Sequence, residues 1–173
     1  YHKPEILSIT AAGDVHQLKM AGGDTVTLTG TNFGPPAGSI KFGTAYLESV
    51  TYGPSGVEYT ATCELKSHTE AECITAAGYG RDSKWYVTVA GQKNELMDGV
   101  TTSYAYPLIS SMEPANAPTG GGTRIEVAGS NFGLPTWAKV LFNGEILDVF
   151  DHSSGVGGDS LSFSVPEGPF SGG

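Results

Sequence analysis

Apolar and polar residues alternate one for one along much of the chain, the period of a strand with one face buried. Thr25-Val26-Thr27-Leu28-Thr29 sets two aliphatic side chains against three hydroxyls, and Arg124-Ile125-Glu126-Val127-Ala128 repeats the arrangement. Trp85, Val87 and Val89 alternate with Tyr86 and Thr88; Leu161, Phe163 and Val165 alternate with Ser162 and Ser164. Between such segments lie Gly34-Pro35-Pro36, Gly53-Pro54-Ser55-Gly56 and Gly155-Val156-Gly157-Gly158. These clusters end strands because glycine reaches positive φ and proline has no amide to donate. Short half-buried strands with turn signals at this interval predict an all-β protein built as a sandwich.

The pattern occurs twice. Gly22 to Gly34 reads GGDTVTLTGTNFG and Gly121 to Gly133 reads GGTRIEVAGSNFG, an offset of 99 positions (133 − 34). Pro4-Glu5-Ile6-Leu7-Ser8-Ile9 answers to Pro107-Leu108-Ile109-Ser110-Ser111-Met112, and Ile40-Lys41-Phe42-Gly43 to Val140-Leu141-Phe142-Asn143. A repeat at this spacing means two copies of one folding unit in tandem, here residues 1–106 and 107–173. The direct Tyr106-Pro107 junction leaves almost no linker, which favours a semi-rigid pair.

Composition narrows the class. With 25 Gly, 10 Pro and only 16% charged residues the chain is poor in helix formers. No apolar run approaches the roughly 20 residues of a membrane span, and no signal peptide precedes Tyr1, so the sequence reads as a processed or excerpted soluble piece. The net charge of −9 repels a phosphate backbone and argues against a nucleic-acid partner.

A proline-led first strand, a Gly-Gly-Asp/Thr start to the next, and its exit through Gly-Thr/Ser-Asn-Phe-Gly resemble the IPT/TIG family across essentially the whole chain. The resemblance implies two immunoglobulin-like sandwiches of the type found in plexin and Met-type receptors, fibrocystin-like surface proteins and Rel-type transcription factors. It is specific for fold and says little of function, which resides in sites. In the repeated corner, Asn32 and Asn131 suit a turn held by side-chain bonds to backbone, Phe33 and Phe132 an aromatic plug, and Gly34 and Gly133 a strained exit. A phosphate cradle at Gly120-Gly121-Gly122 fails because a strand and not a helix follows.

Cys63 and Cys73, the only cysteines, fall on consecutive strands read as Tyr59 to Leu65 and Ala71 to Thr75. Their even number and short connection favour a cross-strand disulfide, and cysteines in these strands are common in extracellular members of the family. Two buried free thiols are the alternative. A bond implies an oxidising, extracellular compartment. His2, His16, His68 and His152 read as exposed loop residues, and a zinc site lacks ligands beyond His68. Asp148, Asp151 and Asp159 match no calcium loop. No nucleophile elbow, zinc-protease motif or carboxylate dyad appears, so the chain is read as a non-enzyme without cofactor or metal. None of its Asn residues begins an N-glycosylation sequon, while loop hydroxyls such as Thr119 and Ser171 leave room for O-linked glycans.

Copy two ends after the strand Leu161 to Val165, before any counterpart of Trp85 to Val89 and Val100 to Tyr106, the strands termed F and G. Two strands bury about six apolar side chains at roughly 1.5 to 3 kcal/mol each, on the order of 10 kcal/mol against a typical domain stability of about 5 to 15 kcal/mol. Copy two is therefore expected to need downstream sequence, a strand from a neighbouring subunit, or an atypical closure. The candidate assembly edge comprises Val140, Phe142, Leu161, Phe163 and Val165. The leading functional expectation is an extracellular structural module, a repeat of a surface protein or head-to-tail fibre whose partners are copies of itself or further IPT/TIG repeats. A receptor or adhesin ectodomain binding a protein or glycan is the alternative, as is an accessory domain of a carbohydrate-active enzyme with Trp137 or Tyr52 as a sugar platform.

Overall fold

The alternation seen in sequence becomes fourteen strands in the computed structural model, which describes residues 2–36, 47–153 and 159–168. They are β1 (Glu5–Ala11), β2 (Thr25–Thr31), β3 (Leu47–Gly53), β4 (Tyr59–Ser67), β5 (Glu70–Ile74), β6 (Ser83–Val89), β7 (Gln92–Lys93) and β8 (Thr101–Thr102), then β9 (Leu108–Glu113), β10 (Arg124–Ser130), β11 (Val140–Phe142), β12 (Glu145–Leu147), β13 (Phe150–Ser153) and β14 (Asp159–Ser164). The described residues contain no helix. Two units divide the chain, Tyr1–Ala105 and Tyr106–Gly173.

In unit 1 the strands run β1-β2-β5-β4-β3-β6-β7, with β8 also on β6. Strand β4 makes the corner. Its start, Tyr59 to Ala61, pairs with β3, and its continuation, Thr62 to Ser67, pairs with β5. One strand thus serves both faces of the sandwich, as strands that switch sheets do. Val26, Leu28, Ala71 and Cys73 point inward from one face and Val50, Tyr52, Trp85 and Val87 from the other.

An aromatic cluster closes this core. The Tyr52 ring stacks on Trp85 with centroids 4.2 Å apart and planes 7° from parallel. The hydroxyls of Tyr52 and Tyr104 lie 2.6 Å apart; the Ala76 amide donates to Tyr52 Oη at 2.8 Å and Tyr104 Oη donates to the Ala76 carbonyl at 2.8 Å. Burial pushes both phenols above their ordinary range. Trp85 Nε1 donates to Thr102 Oγ1 at 3.0 Å, and buried Asn94 accepts from the Val87 amide while donating to the Trp85 carbonyl. Each buried polar group named here is thereby paired.

Unit 2 keeps half of this plan. Its four-stranded sheet runs β13-β14-β10-β9, and β11 and β12 form a separate hairpin. Val127 faces Leu161 where Leu28 faces Ala71, and Ile125 faces Phe163 where Val26 faces Cys73. The described residues hold no counterpart of β6, β7 or β8.

The ladders correct one alignment. Val140↔Leu147 and Phe142↔Glu145 reproduce Val50↔Ala61 and Tyr52↔Tyr59. Phe142 therefore stands where Tyr52 does. The Ile40-Lys41-Phe42-Gly43 segment, matched to it by sequence likeness, lies outside the described residues, as do the turn Gly155 to Gly158 and Ser171. Both Phe42-Gly43 and Tyr52-Gly53 pair an aromatic with a glycine, and only the ladder separates them.

Candidate strand-docking site

The site is the open side of unit 2, and the corner behind it is built first. Asn32 and Asn131 take φ of 61° and 59°, the left-handed conformation that asparagine tolerates better than most residues. Their amides donate to the Lys3 carbonyl at 3.1 Å and the Tyr106 carbonyl at 3.4 Å, tying the corner to the segment that leads into β1 or β9. Phe33 and Phe132 are buried, and Gly34 and Gly133 have φ of 88° and 74°. Sequence reasoning missed Gly30 and Gly129. A Cβ on either would overlap the carbonyl oxygen of Glu5 or Leu108 and come within 2.6 Å of the Phe33 or Phe132 ring. Their recurrence within the repeated motif was the available signal.

The open face follows from residue equivalence. In unit 1, β6 pairs along β3, with Val87 opposite Val50 and Trp85 opposite Tyr52. In unit 2 the same edge of β11 has no strand among the described residues. Ile6 and Ile109 hold one register position on β1 and β9, yet Ile6 is 2% exposed and Ile109 58%. Tyr52 is fully buried, whereas Phe142 is 39% exposed and meets the Phe163 ring, 6.1 Å away, as its one aromatic neighbour among the described residues. Met112, equivalent to half-buried Ile9, is 51% exposed. A groove of about 670 Å³ opens between the layers, lined by Met112, Pro114, Ile125, Phe142, Phe163 and Val165 among others.

The turn of the hairpin orients its edge. Asn143 and Gly144, at φ of 48° and 88°, form the two-residue connection that suits a right-twisted hairpin. Phe142 and Glu145 close that turn, so Phe142 and Val140 direct their backbone groups to β12 and Leu141 directs its own outward. Among the described residues this strand edge has no partner.

The assembly edge expected from sequence is thus only partly an edge. Val140 and Phe142 lie on β11, whereas Leu161 and Phe163 lie on β14, which is paired on both sides with β10 and β13 and buried. Alternation reveals which face a residue takes and not how many neighbours its strand has. Val165 exchanges backbone bonds with Thr123 and Gly122 and offers the groove its side chain.

The remaining candidates separate. Cys63 and Cys73 sit directly opposite on β4 and β5 and are disulfide-bonded, with Cα atoms 4.0 Å apart. Asp148 pairs with Lys139 at 3.8 Å, Asp151 pairs with Arg124, and Asp159 accepts from the Phe132 amide at 2.6 Å, so the three carboxylates serve different places. No cluster of three metal-binding side chains occurs among the described residues. His152 corrects the expectation of an exposed loop: it lies on β13 with both ring nitrogens covered. Tyr52 is beneath Trp85 in the core and presents no sugar platform; Trp137 is half-buried beside a short turn.

Sandwiches of this kind, one closed and one open, define an immunoglobulin-like tandem module. The IPT/TIG domain profile matches residues 4–104 and again 107–172, and the chain belongs to the IPT/TIG family. Human fibrocystin-L is 30% identical over 119 residues, 67% of this chain and 3% of fibrocystin-L. Among solved structures, the plexin A4 extracellular region is similar over 95% of this chain and 15% of its own, at 15% identity and TM-score 0.43. SGBP-B from a xyloglucan utilization locus in Bacteroides uniformis is similar over 98% and 44%, at 18% identity and TM-score 0.36. The chain spans less than half the length of each. Disulfides persist in oxidising compartments, and the Cys63–Cys73 bond places this module outside the cell. No helix among the described residues is long and apolar enough to cross a membrane.

Proposed function

We propose that the chain is a non-catalytic structural segment of a repeat-built extracellular protein, in which unit 2 is completed by strands added at its open face. The observation that carries this is the paired exposure of Ile6 against Ile109 and Tyr52 against Phe142. The same positions of the same fold are covered in one unit by β6 and uncovered in the other. The added strands come from following sequence of the same polypeptide or from a neighbouring molecule, with main-chain pairing giving affinity and alternate side chains giving register.

Hydrogen exchange with size-exclusion chromatography tests the reading. In the isolated chain, amides of Ile125 to Val127 exchange faster than those of Val26 to Leu28, and extending the chain with its natural continuation removes the difference. Completion by neighbours appears instead as head-to-tail species that grow with concentration. A monomer with equal protection at both sets refutes the proposal.

One observation favours protein binding as a second role. Leu141 and Ile146 face each other on the hairpin's outer side and are exposed, where unit 1 carries Thr51 and Thr60. Leu141→Thr with Ile146→Thr should abolish adhesion of chain-coated beads to cells while leaving folding intact. Unchanged adhesion would remove this role.

A further inference from the structure

The Asn143-Gly144 turn carries a chemistry that the other asparagines of the chain are denied. The carbon of an asparagine side-chain amide is a weak electrophile, and the backbone nitrogen of the next residue is the nucleophile nearest to it. Whether the two meet depends on what crowds or holds that nitrogen. Glycine adds no side chain, and a Cβ built at Gly144 meets nothing within 4 Å. Both residues are exposed, and neither the Asn143 side chain nor the Gly144 amide forms a hydrogen bond among the described residues.

The remaining asparagines are held or hindered. After Asn32 the Phe33 amide donates to the His68 carbonyl at 3.0 Å, and after Asn131 the Phe132 amide donates to Asp159 at 2.6 Å, so both nitrogens are engaged. Asn94 is 5% exposed and bonded to the Val87 amide and the Trp85 and Glu95 carbonyls. Asn116 is exposed, but the Ala117 methyl crowds the attacking nitrogen and Pro118 restricts Ala117 to extended backbone.

The hairpin supplies the motion that ring closure needs. In the turn both residues are left-handed, and the Gly144 nitrogen reaches the side chain only when the turn opens. β11 and β12 meet over three residue pairs and form a sheet of their own. A two-stranded hairpin with no third strand is marginally stable in water. In unit 1 the equivalent strands β3 and β4 are joined to β6 and β5, and their connection, Pro54 to Glu58, contains no asparagine.

We propose that Asn143 is a self-modifying site whose reaction dismantles the β11 edge as the protein ages. The Gly144 nitrogen gives its proton to solvent and bonds to Asn143 Cγ, the bond from Cγ to Nδ2 breaks, and the nitrogen leaves as ammonia after taking a proton from solvent. Water then opens the cyclic imide at one of its two carbonyls. One opening leaves aspartate, and the other leaves isoaspartate, with the main chain rerouted through the former side chain. The sum is one water consumed and one ammonia released, with no change of oxidation state. Isoaspartate adds a backbone carbon to a two-residue turn, so the Phe142↔Glu145 pair that closes it loses register. The site acts on the edge whether or not a strand fills unit 2.

Peptide mapping by mass spectrometry follows all the asparagines of the full chain during incubation in mildly alkaline buffer, with and without urea. In the folded chain Asn143 should convert within about tenfold of its rate in urea, whereas Asn32, Asn94 and Asn131 should be slowed by about a hundredfold or more. Slowing of Asn143 by as much as those three, or conversion of Asn116 at the same rate, overturns the assignment. The isoaspartate form is then separated by its added charge and examined by hydrogen exchange. Val140 and Phe142 amides should exchange at least about tenfold faster than in the unmodified chain, with Val26 to Leu28 unchanged. Freshly prepared Asn143→Asp, which carries the charge without the extra carbon, should keep their protection. Unchanged exchange in the isoaspartate form, or equal loss in Asn143→Asp, overturns the claim that turn lengthening dismantles the edge.

Discussion

A methyl group at Gly30 or Gly129 has nowhere to go. The first strand's carbonyl and the corner phenylalanine both occupy the space a Cβ would need. Gly30→Ala and Gly129→Ala should each destabilise their own unit by about 3 kcal/mol, the upper part of the overpacking range, with the other unit unchanged in urea denaturation. Tyr52 and Tyr104 carry a pH signature. Burial raises both phenols above the ordinary tyrosine pKa of 10.0, so the folded state keeps protons that the unfolded state loses above about pH 10. Unit 1 is therefore at full stability below that pH and loses it as pH rises further. The double variant Tyr52→Phe and Tyr104→Phe should flatten this decline in urea midpoints taken from pH 9 to 12. It should also cost about 1 to 3 kcal/mol at neutral pH, because the Ala76 amide and carbonyl lose these partners. The Asn-Phe-Gly corner was legible because it is written twice. The phenol pair was not, since residues 52 positions apart in sequence give no local sign of contact.

Among strands, β3 and β11 make the sharpest comparison. Tyr52→Ala removes a ring stacked in a closed core and should cost about 3 to 5 kcal/mol. Phe142→Ala at the matching position of the isolated chain should cost less than about 1 kcal/mol, because its ring already faces water. Thermal denaturation of the two variants decides between this and a closed unit 2, in which the costs would be alike. Alternation predicted β2, β6, β10 and β14 and the facing of their side chains. It gave no account of β4 passing from one layer to the other, because period 2 encodes the face of a residue and is silent on the neighbouring strand. The same silence let Phe142 be aligned with Phe42 and let β14 be read as an edge.

Over the whole chain, the two units differ in what they enclose. Fourteen buried residues form the described core of unit 1 and five that of unit 2. Urea should therefore unfold the chain in two steps, unit 2 first, as followed by unit 2 amides against Trp85 fluorescence. Cys63→Ser with Cys73→Ser should move only the second step, lowering unit 1 stability by about 3 kcal/mol, the value for a short closed loop. Doubling and all-β character were legible in sequence, since they depend on pattern. The shape of the open face was not, because it emerges only when equivalent positions of the two units are compared in space.

The cross-strand bond has a mechanical consequence. Modules in series share any tension applied along the polypeptide, and an unfolding module lengthens by the full reach of its chain. In unit 1 the bond joins residues ten apart in sequence across 4.0 Å, so the hairpin between them is bypassed and does not pay out. At about 3.3 to 3.6 Å per residue, the module should extend roughly 30 Å less than its length allows when pulled from its ends. A reductant should restore that distance as a longer step in single-molecule force extension. Oxidation thus sets how far unit 1 can lengthen once it has unfolded.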